Sequence, residues 1–600
     1  MGKARPPITL SPYHPITREG NRVTTFPYLS ALTFLPMLGA LVILFIPRIT
    51  QQAARSIALI TALGSLVISV VVLARFDPQA PFAAGVTVPF QERINWGQEV
   101  GASYFLGIDG IAALLLVLTT LICVLSIIWS WDTVNTRVRE YYIAILLLET
   151  GMLGVFVALD MFLFYIFWEL MLIPMALLIG IWGSSNRVYA AVKFFLYTLF
   201  GSLLMLVAIV ATYWAYYQQT GVLTLDVLQL AQGEYGRTFQ ILVFLTFFIA
   251  FAVKVPLFPF HTWLPDAHVE APTAASVILA AVMLKMGGYG FLRFNLPLFP
   301  EGTLFWQPWV IALSVIAILY GALVALVQPD MKKLIAYSSV SHMAFVTLGI
   351  FVLNIQGLDG AMIVMLAHGF NTGALFLLVG VIYERAHTRL IANFSGLAAV
   401  LPMWSGFFVL FMLASIGLPA LSGFPGEFLV ALGSWNYSPW IALPTFGVVI
   451  FAAWYMMWMT QRVVWGRPKG VMPDPHDGAL TPTETALLAA SAHGGHGQDH
   501  GDAFASPLPR MAGGSQEHSP DAPNPSQAPE LHDAVDHGWH TGAVSEVPGE
   551  ERQIWPDLSL KELLTLVPLA VLTIYIGVYP QVILTIVEPA LERILAVVVP

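Results

Sequence analysis

Apolar runs of membrane length recur along the chain, separated by short polar connections and, once, by a long polar stretch. They predict spans near 27–47, 56–75, 109–130, 141–159, 161–182, 193–214, 239–259, 272–294, 306–327, 334–353, 359–382, 401–435, 440–463 and 559–582. Each is close to the roughly 20 residues that a helix needs to cross a hydrocarbon core. The expected fold is therefore an all-α polytopic membrane protein with about fourteen transmembrane helices. Two runs are interrupted. AVKVPLFPFHTWLPDA carries Pro256 and Pro259, and IGLPALSGFPGEFLV carries Gly417, Pro419, Gly423, Pro425 and Gly426. Proline removes a donor and clashes with the preceding turn, so both runs should break and free backbone groups at membrane depth. Interrupted segments at matching places in two halves point to a transporter site at a repeat interface. The second break lies five spans after the first, an odd offset, so the two would run antiparallel as an inverted repeat requires.

The same pattern divides the chain into a polar leader (1–26), N-terminal transmembrane helices (27–140), a first antiporter-like repeat (141–295), a second (306–463), a linker (464–557) and a last helix with its C-terminal segment (558–600). The first run lacks a small-residue cleavage site and reads as a retained span, not a signal peptide. VILTIVEPALERILAVVVP, after the last span, is a candidate for a helix lying along the membrane surface.

Composition agrees: 57% of the 600 residues are apolar and 10% charged, which excludes the soluble classes. The net charge of −9 belongs to the linker, where, between about 470 and 557, 14 of the 36 acidic residues meet only Arg510 and Arg552. Rich in Pro, Gly, Ser and His, the linker reads as a disordered tether. Its eight histidines match no closed zinc spacing, so no metal site is expected. The single cysteine, Cys123, can build neither a disulfide framework nor a cysteine-ligated iron–sulfur cluster. No cofactor is expected in this chain, and any electron carrier would belong to a partner. Arginine and lysine concentrate after odd-numbered spans (Arg48, Arg55, Arg137, Arg139, Arg187, Lys332, Lys333, Arg385, Arg389, Arg462, Arg467, Lys469), while even connections hold only Arg93, Arg237 and Arg293. The positive-inside rule then puts odd connections and the linker in the cytoplasm and both termini outside, although Lys3, Arg5, Arg18 and Arg22 in the leader argue the other way.

Ionisable residues inside spans carry the candidate chemistry, because a charge at the helix centre costs roughly 2.5–3.5 kcal/mol on insertion scales and is retained where it faces protein or water. Glu169 needs a cation, and Lys254 beside the first break is the expected partner, held charged by the carboxylate and able to give up its proton when that contact weakens. A static buried salt bridge is the competing reading. Lys285 is followed by glycines that allow close helix approach, with snorkelling as its alternative. His342 and His368 titrate near neutrality and are candidates for proton relay, or satisfied core histidines. Glu427 follows the second break. Secondary candidates are Glu149, without an evident partner, and His261, Asp266, His268 and Glu270, which would line a proton uptake path or cap helices.

The strings LLLETGMLGVF, FWELMLIPM, KFFLYT, AVKVPLFPFHTWLPDAHVEAPT, LKMGGYG, QPDMKKLIAYSSVSHM, YERAHTR and GFPGEF together resemble the antiporter-like M subunits of bacterial respiratory complex I, equivalent to mitochondrial subunit 4. FHTWLPDAH alone is shared with the related L and N subunits and with multisubunit Na⁺/H⁺ antiporters, while FWELMLIPM with YERAHTR narrows the likeness to M. It covers roughly 27–465 and resumes weakly in the last helix. By resemblance, Glu169 matches the family's glutamate of helix five, Lys254 the lysine of broken helix seven, Lys285 that of helix eight and Glu427 the acid of broken helix twelve; His342 and His368 fall on the central polar axis. The resemblance implies two inverted five-helix repeats, NADH, flavin, iron–sulfur clusters and quinone held by other subunits, and L-like and N-like neighbours in the bacterial inner membrane. The leader and the long linker depart from the family pattern. The expected function is proton translocation coupled to electron transfer from NADH to quinone elsewhere, with no nucleic-acid partner. A subunit of a Na⁺/H⁺ antiporter is the alternative.

Overall fold

The computed structural model describes residues 26–79, 90–469, 471–473 and 553–599. The leader and most of the linker lie outside the described residues. The chain divides into a membrane body (Met1–Lys469 with Trp555–Pro600) and a second unit, Gly470–Ile554.

In the body, thirteen described helices are long and apolar enough to cross a membrane. They begin with α1 (Tyr28–Phe45), α2 (Gln51–Ala74), α3 (Gly110–Thr133) and α4 (Val138–Val157). The fifth span is α5 (Met161–Leu170) joined at Met171 to α6 (Leu172–Trp182). There follow α7 (Arg187–Thr220), the short α8 (Val227–Leu230), α9 (Arg237–Lys254) and α10 (Trp263–Glu270). The eighth span runs from α11 (Thr273–Ile278) through a π-helical segment, Leu279–Met283, into α12 (Leu284–Gly290), a second π-helical segment, Phe291–Asn295, and α13 (Leu296–Leu298). Then come α14 (Pro300–Leu326), α15 (Met331–Phe351), α16 (Ile355–Ala386), the half-helices α17 (Pro402–Ser415) and α18 (Gly423–Tyr437), and α19 (Pro439–Val464). The last span is Leu560–Val578.

Helix starts follow from local chemistry. Asp109, Asp160, Asp330 and Asn354 each accept a backbone N–H in the first turn of α3, α5, α15 and α16, and Ser559 with Glu562 forms a capping box. Both expected breaks are present: α9 stops at Lys254, two residues before Pro256, and α17 stops at Ser415, before Gly417 turns the chain at φ +75°. A hairpin of β1 (Glu92–Gly97) and β2 (Ala102–Leu106) ties down the connection ahead of α3.

The core is the stack of α3, α4, the eighth span, α15 and α16. Every residue in the apolar window of the eighth span and of α16 is buried, whereas α2 and α19 turn most of theirs outward. Gly287 explains how closely α12 approaches α9, since a Cβ there would fall 2.6 Å from the Phe251 carbonyl oxygen.

The segment after the last span forms a helix, Gln581–Val598, whose Ile583, Val587, Ala590 and Leu591 are buried against the body, so its apolar face meets α3, α13, α14 and α16. Two sequence expectations change. The linker's edges move inward: Asp557 accepts from the Met403 and Trp404 amides at the start of α17, and the Gly396 amide donates to the Trp465 carbonyl. Lys332 and Arg293, counted among connection charges, are 4% and 6% exposed and point into protein.

Candidate functional site: a buried line of ionisable groups

Where the two halves meet, α12 presents Lys285 to α16. Its Nζ donates to the Ala280 carbonyl at 2.6 Å and lies 2.8 Å from Nδ1 of His368. Ala280 belongs to the π-helical segment, where the shifted ladder leaves a carbonyl for the ammonium. Lys285 is fully buried, so its charge depends on these contacts. His368 and His342 are neighbours, with ring centroids 6.0 Å apart. His342 Nδ1 is 2.8 Å from Glu427 Oε1. Beside the two imidazoles and Glu427, a pocket of about 20 Å³ reaches Asn371, Thr372 and Ser415, room for about one water. Among the described residues, the far nitrogens of both histidines, Nε2, have no hydrogen-bond partner. Lys285, His368, His342 and Glu427 therefore form one line from α12 across α16 and α15 to α18.

Glu427 sits four residues into α18 where the second break folds back over it: a Cβ on Gly417 would meet Glu427 Oε2 at 3.1 Å. The sequence placed His342 and Glu427 separately, and the structure bonds them.

The first break is built differently. The Lys254 ammonium closes α9 and lies 5.4 Å from the Trp168 ring and 5.7 Å from Phe194, an arrangement of cation–π type. Among the described residues no ion pair joins it to Glu169. The two remain within electrostatic reach, and among the described residues Glu169 Oε1 has no hydrogen-bond partner. Glu169, in the last turn of α5 and near the middle of the fifth span, is half-buried. The Glu169–Lys254 contact expected from the sequence is thus an open pair, not a closed salt bridge.

The secondary candidates separate into distinct roles. Asp266 binds Lys193 of α7 at 2.7 Å. Glu270 accepts from the Asn186 amide at 2.9 Å and so holds the start of α7. His261 packs between Phe258 and Tyr320. His268 is fully buried, stacked on Phe376 at 4.7 Å, with neither ring nitrogen partnered. It is within electrostatic reach of both Lys285 and Lys332. Glu149 is fully buried beside Cys123, and neither of its oxygens has a hydrogen-bond partner.

Lys193 and Lys332 were missed by the sequence reading. Lys332 Nζ donates to the Ala271 carbonyl at 2.6 Å and lines a polar cavity of about 290 Å³ together with Thr133, Asn135, Ser184, Glu270 and Glu384. A signal existed, because Lys332, Ile335, Ser339 and His342 recur at helical spacing and place the lysine on the histidine's side of α15.

Residues 158–452 match the family described as NADH:quinone oxidoreductase/Mrp antiporter, a segment that holds every residue of the line. The NADH-quinone oxidoreductase subunit M of Rhodobacter capsulatus is 51% identical over 455 residues, 73% of this chain and 86% of that protein. The chain belongs to the subunit M family. A chain of the respiratory complex I from Thermus thermophilus with bound NADH superposes with a TM-score of 0.73 at 28% identity, over 96% of this chain and 100% of that one. The Mrp complex from Dietzia shares the fold alone, with a TM-score of 0.69 at 20% identity over 95% of this chain and 97% of its own. Subunit M kinship therefore outweighs the antiporter alternative, and the chain is an integral multi-pass membrane protein.

Proposed function

We propose that this chain is the proton-translocating M subunit in the membrane arm of an NADH:quinone oxidoreductase, driven by electron transfer from NADH to quinone in partner subunits. The observation that carries this is the line Lys285–His368–His342–Glu427, in which two 2.8 Å hydrogen-bond contacts flank neighbouring imidazoles with ring centroids 6.0 Å apart. Each member can bind and release a proton, and burial makes an unneutralised charge on any of them costly. A charge arriving at one end therefore shifts protons along the whole line.

Protons reach Lys285 from the cavity at Lys332 by way of His268, the buried imidazole within electrostatic reach of both lysines. Lys285 passes its proton to His368 and is restored from His268; His342 hands the proton to Glu427, the exit group. Glu169 and Lys254 form the control pair. With the carboxylate close, Lys254 holds its proton; as the separation grows, the ammonium loses that support and releases it. Glu149, His261 and Asp266 stand beside this path, Asp266 fixing Lys193.

We place the cavity and the linker on the cytoplasmic side of a bacterial inner membrane and both termini outside, as the arginine and lysine pattern supports. Flavin, iron–sulfur clusters and quinone are assigned to partner subunits, in keeping with one buried cysteine here. Proton uptake per electron in vesicles carrying the whole complex tests the reading. Glu427→Gln keeps a hydrogen-bonding side chain for His342 but cannot carry a proton, and should lose this subunit's share. Unchanged stoichiometry would remove Glu427 from the path.

A further inference from the structure

The line ends at Glu427 in one direction, but the helix that carries Lys285 continues. Tyr289 lies one turn beyond Lys285 on α12, and Arg293 one turn beyond that. The Tyr289 hydroxyl donates to the Phe156 carbonyl at 3.0 Å and accepts from Arg293 Nε at 3.1 Å. Arg293 Nη2 pairs with Asp109 Oδ2 at 2.6 Å, while Asp109 Oδ1 accepts from the Ala112 amide at 2.9 Å and so anchors the start of α3. All three side chains are buried. Immediately outside them lies a cavity of about 250 Å³, walled by Asp109, Arg293, Leu292, Ile594 and Arg593.

The two cavities sit at opposite ends of α3. The first touches Trp129 and Thr133, the second Asp109, and the 24 residues between span about 36 Å. Their inner walls differ in chemistry. Toward the first stands Lys332, with His268 within its electrostatic reach, groups that exchange protons. Toward the second stands a guanidinium, which cannot be deprotonated in a protein and which repels an approaching proton.

We propose that Arg293, locked by Tyr289 and Asp109, is a cationic plug that closes the polar axis at the end opposite its access cavity, so that protons reaching Lys285 leave only along the line to Glu427. The proposal rests on the proton-translocation reading above. Arg293 is a positioning residue, since it acts on the path of protons without carrying them.

The test measures leak, not pumping. The complete complex in vesicles, without NADH, is given a potassium diffusion potential, and internal pH is followed. Arg293→Met combined with Asp109→Asn removes both charges together, so neither is stranded, and the asparagine still accepts from Ala112. Passive proton conductance should rise at least about tenfold, equivalent to about 1.36 kcal/mol of barrier. Arg293→Lys, which keeps a cation, should stay tight, and adding Lys285→Met to the leaking variant should abolish the leak. Wild-type conductance in the assembled double variant overturns the plug, as does a leak that survives Lys285→Met. If the double variant does not assemble, Arg293→Gln is read the same way. Because no turnover is involved, a failed plug leaves the pumping reading standing, and failed pumping leaves the leak result readable.

Discussion

The two broken helices meet the same problem, a charge beside freed backbone at membrane depth, and solve it in opposite ways. At the second break Glu427 is bonded to His342 and becomes the end of a continuous line. At the first, Lys254 faces aromatic rings with Glu169 in reach but not in contact. A bonded pair transmits a proton; an open pair can be closed and opened. On the proposed reading, the second break ends the transfer line and the first holds the control pair.

The largest effect should come from breaking the open pair. Glu169→Ala leaves Lys254 without its counter-charge, and NADH-driven proton pumping in vesicles should disappear while coupled turnover falls at least about tenfold, equivalent to about 1.36 kcal/mol of barrier. Glu169→Asp, which keeps the charge, should be milder. Normal stoichiometry in an assembled Glu169→Ala complex would make the pair purely structural.

The bonded end makes a different prediction. His342→Gln and Glu427→Gln should each abolish this subunit's pumping, and the double variant should be no worse than the more damaging single, because both remove one shared step. Additive losses would place the two residues on separate routes. A smaller effect is expected at the uptake end: Lys332→Met should slow pumping several-fold at unchanged assembly, and His268→Phe should do the same. Full rates in both would move uptake elsewhere. Deleting residues 480–550 should change least, since a chain of that composition buries little apolar surface; loss of the assembled complex would instead show that the segment docks on a neighbour.

The spans and both breaks were legible because each is written locally, in runs of apolar residues and in Pro256, Gly417 and Pro419. Lys254, Lys285 and Glu427 were equally legible, being charges in the middle of apolar text. Lys332, Lys193 and Arg293 were not. They stand near the ends of spans, where a basic residue ordinarily marks topology, and only the packing of α7 and α15 against α10, or of the eighth span against α3, gives them protein partners. The partners were hidden for the same reason. Nothing within the sequence of α15 or α18 says that His342 and Glu427 touch, nor does the sequence around Lys254 say that its ammonium would face Trp168 and Phe194.

Lys285 is where transfer and structure are most directly distinguished. Lys285→Arg keeps a cation beside His368 but holds its proton permanently, whereas Lys285→Met removes the charge at similar volume. The measurement is protons moved per electron in vesicles containing the assembled complex. A relay requires both variants to lose this subunit's pumping. Full pumping by Lys285→Arg, with Lys285→Met inactive, would contradict the relay and leave Lys285 as a fixed charge.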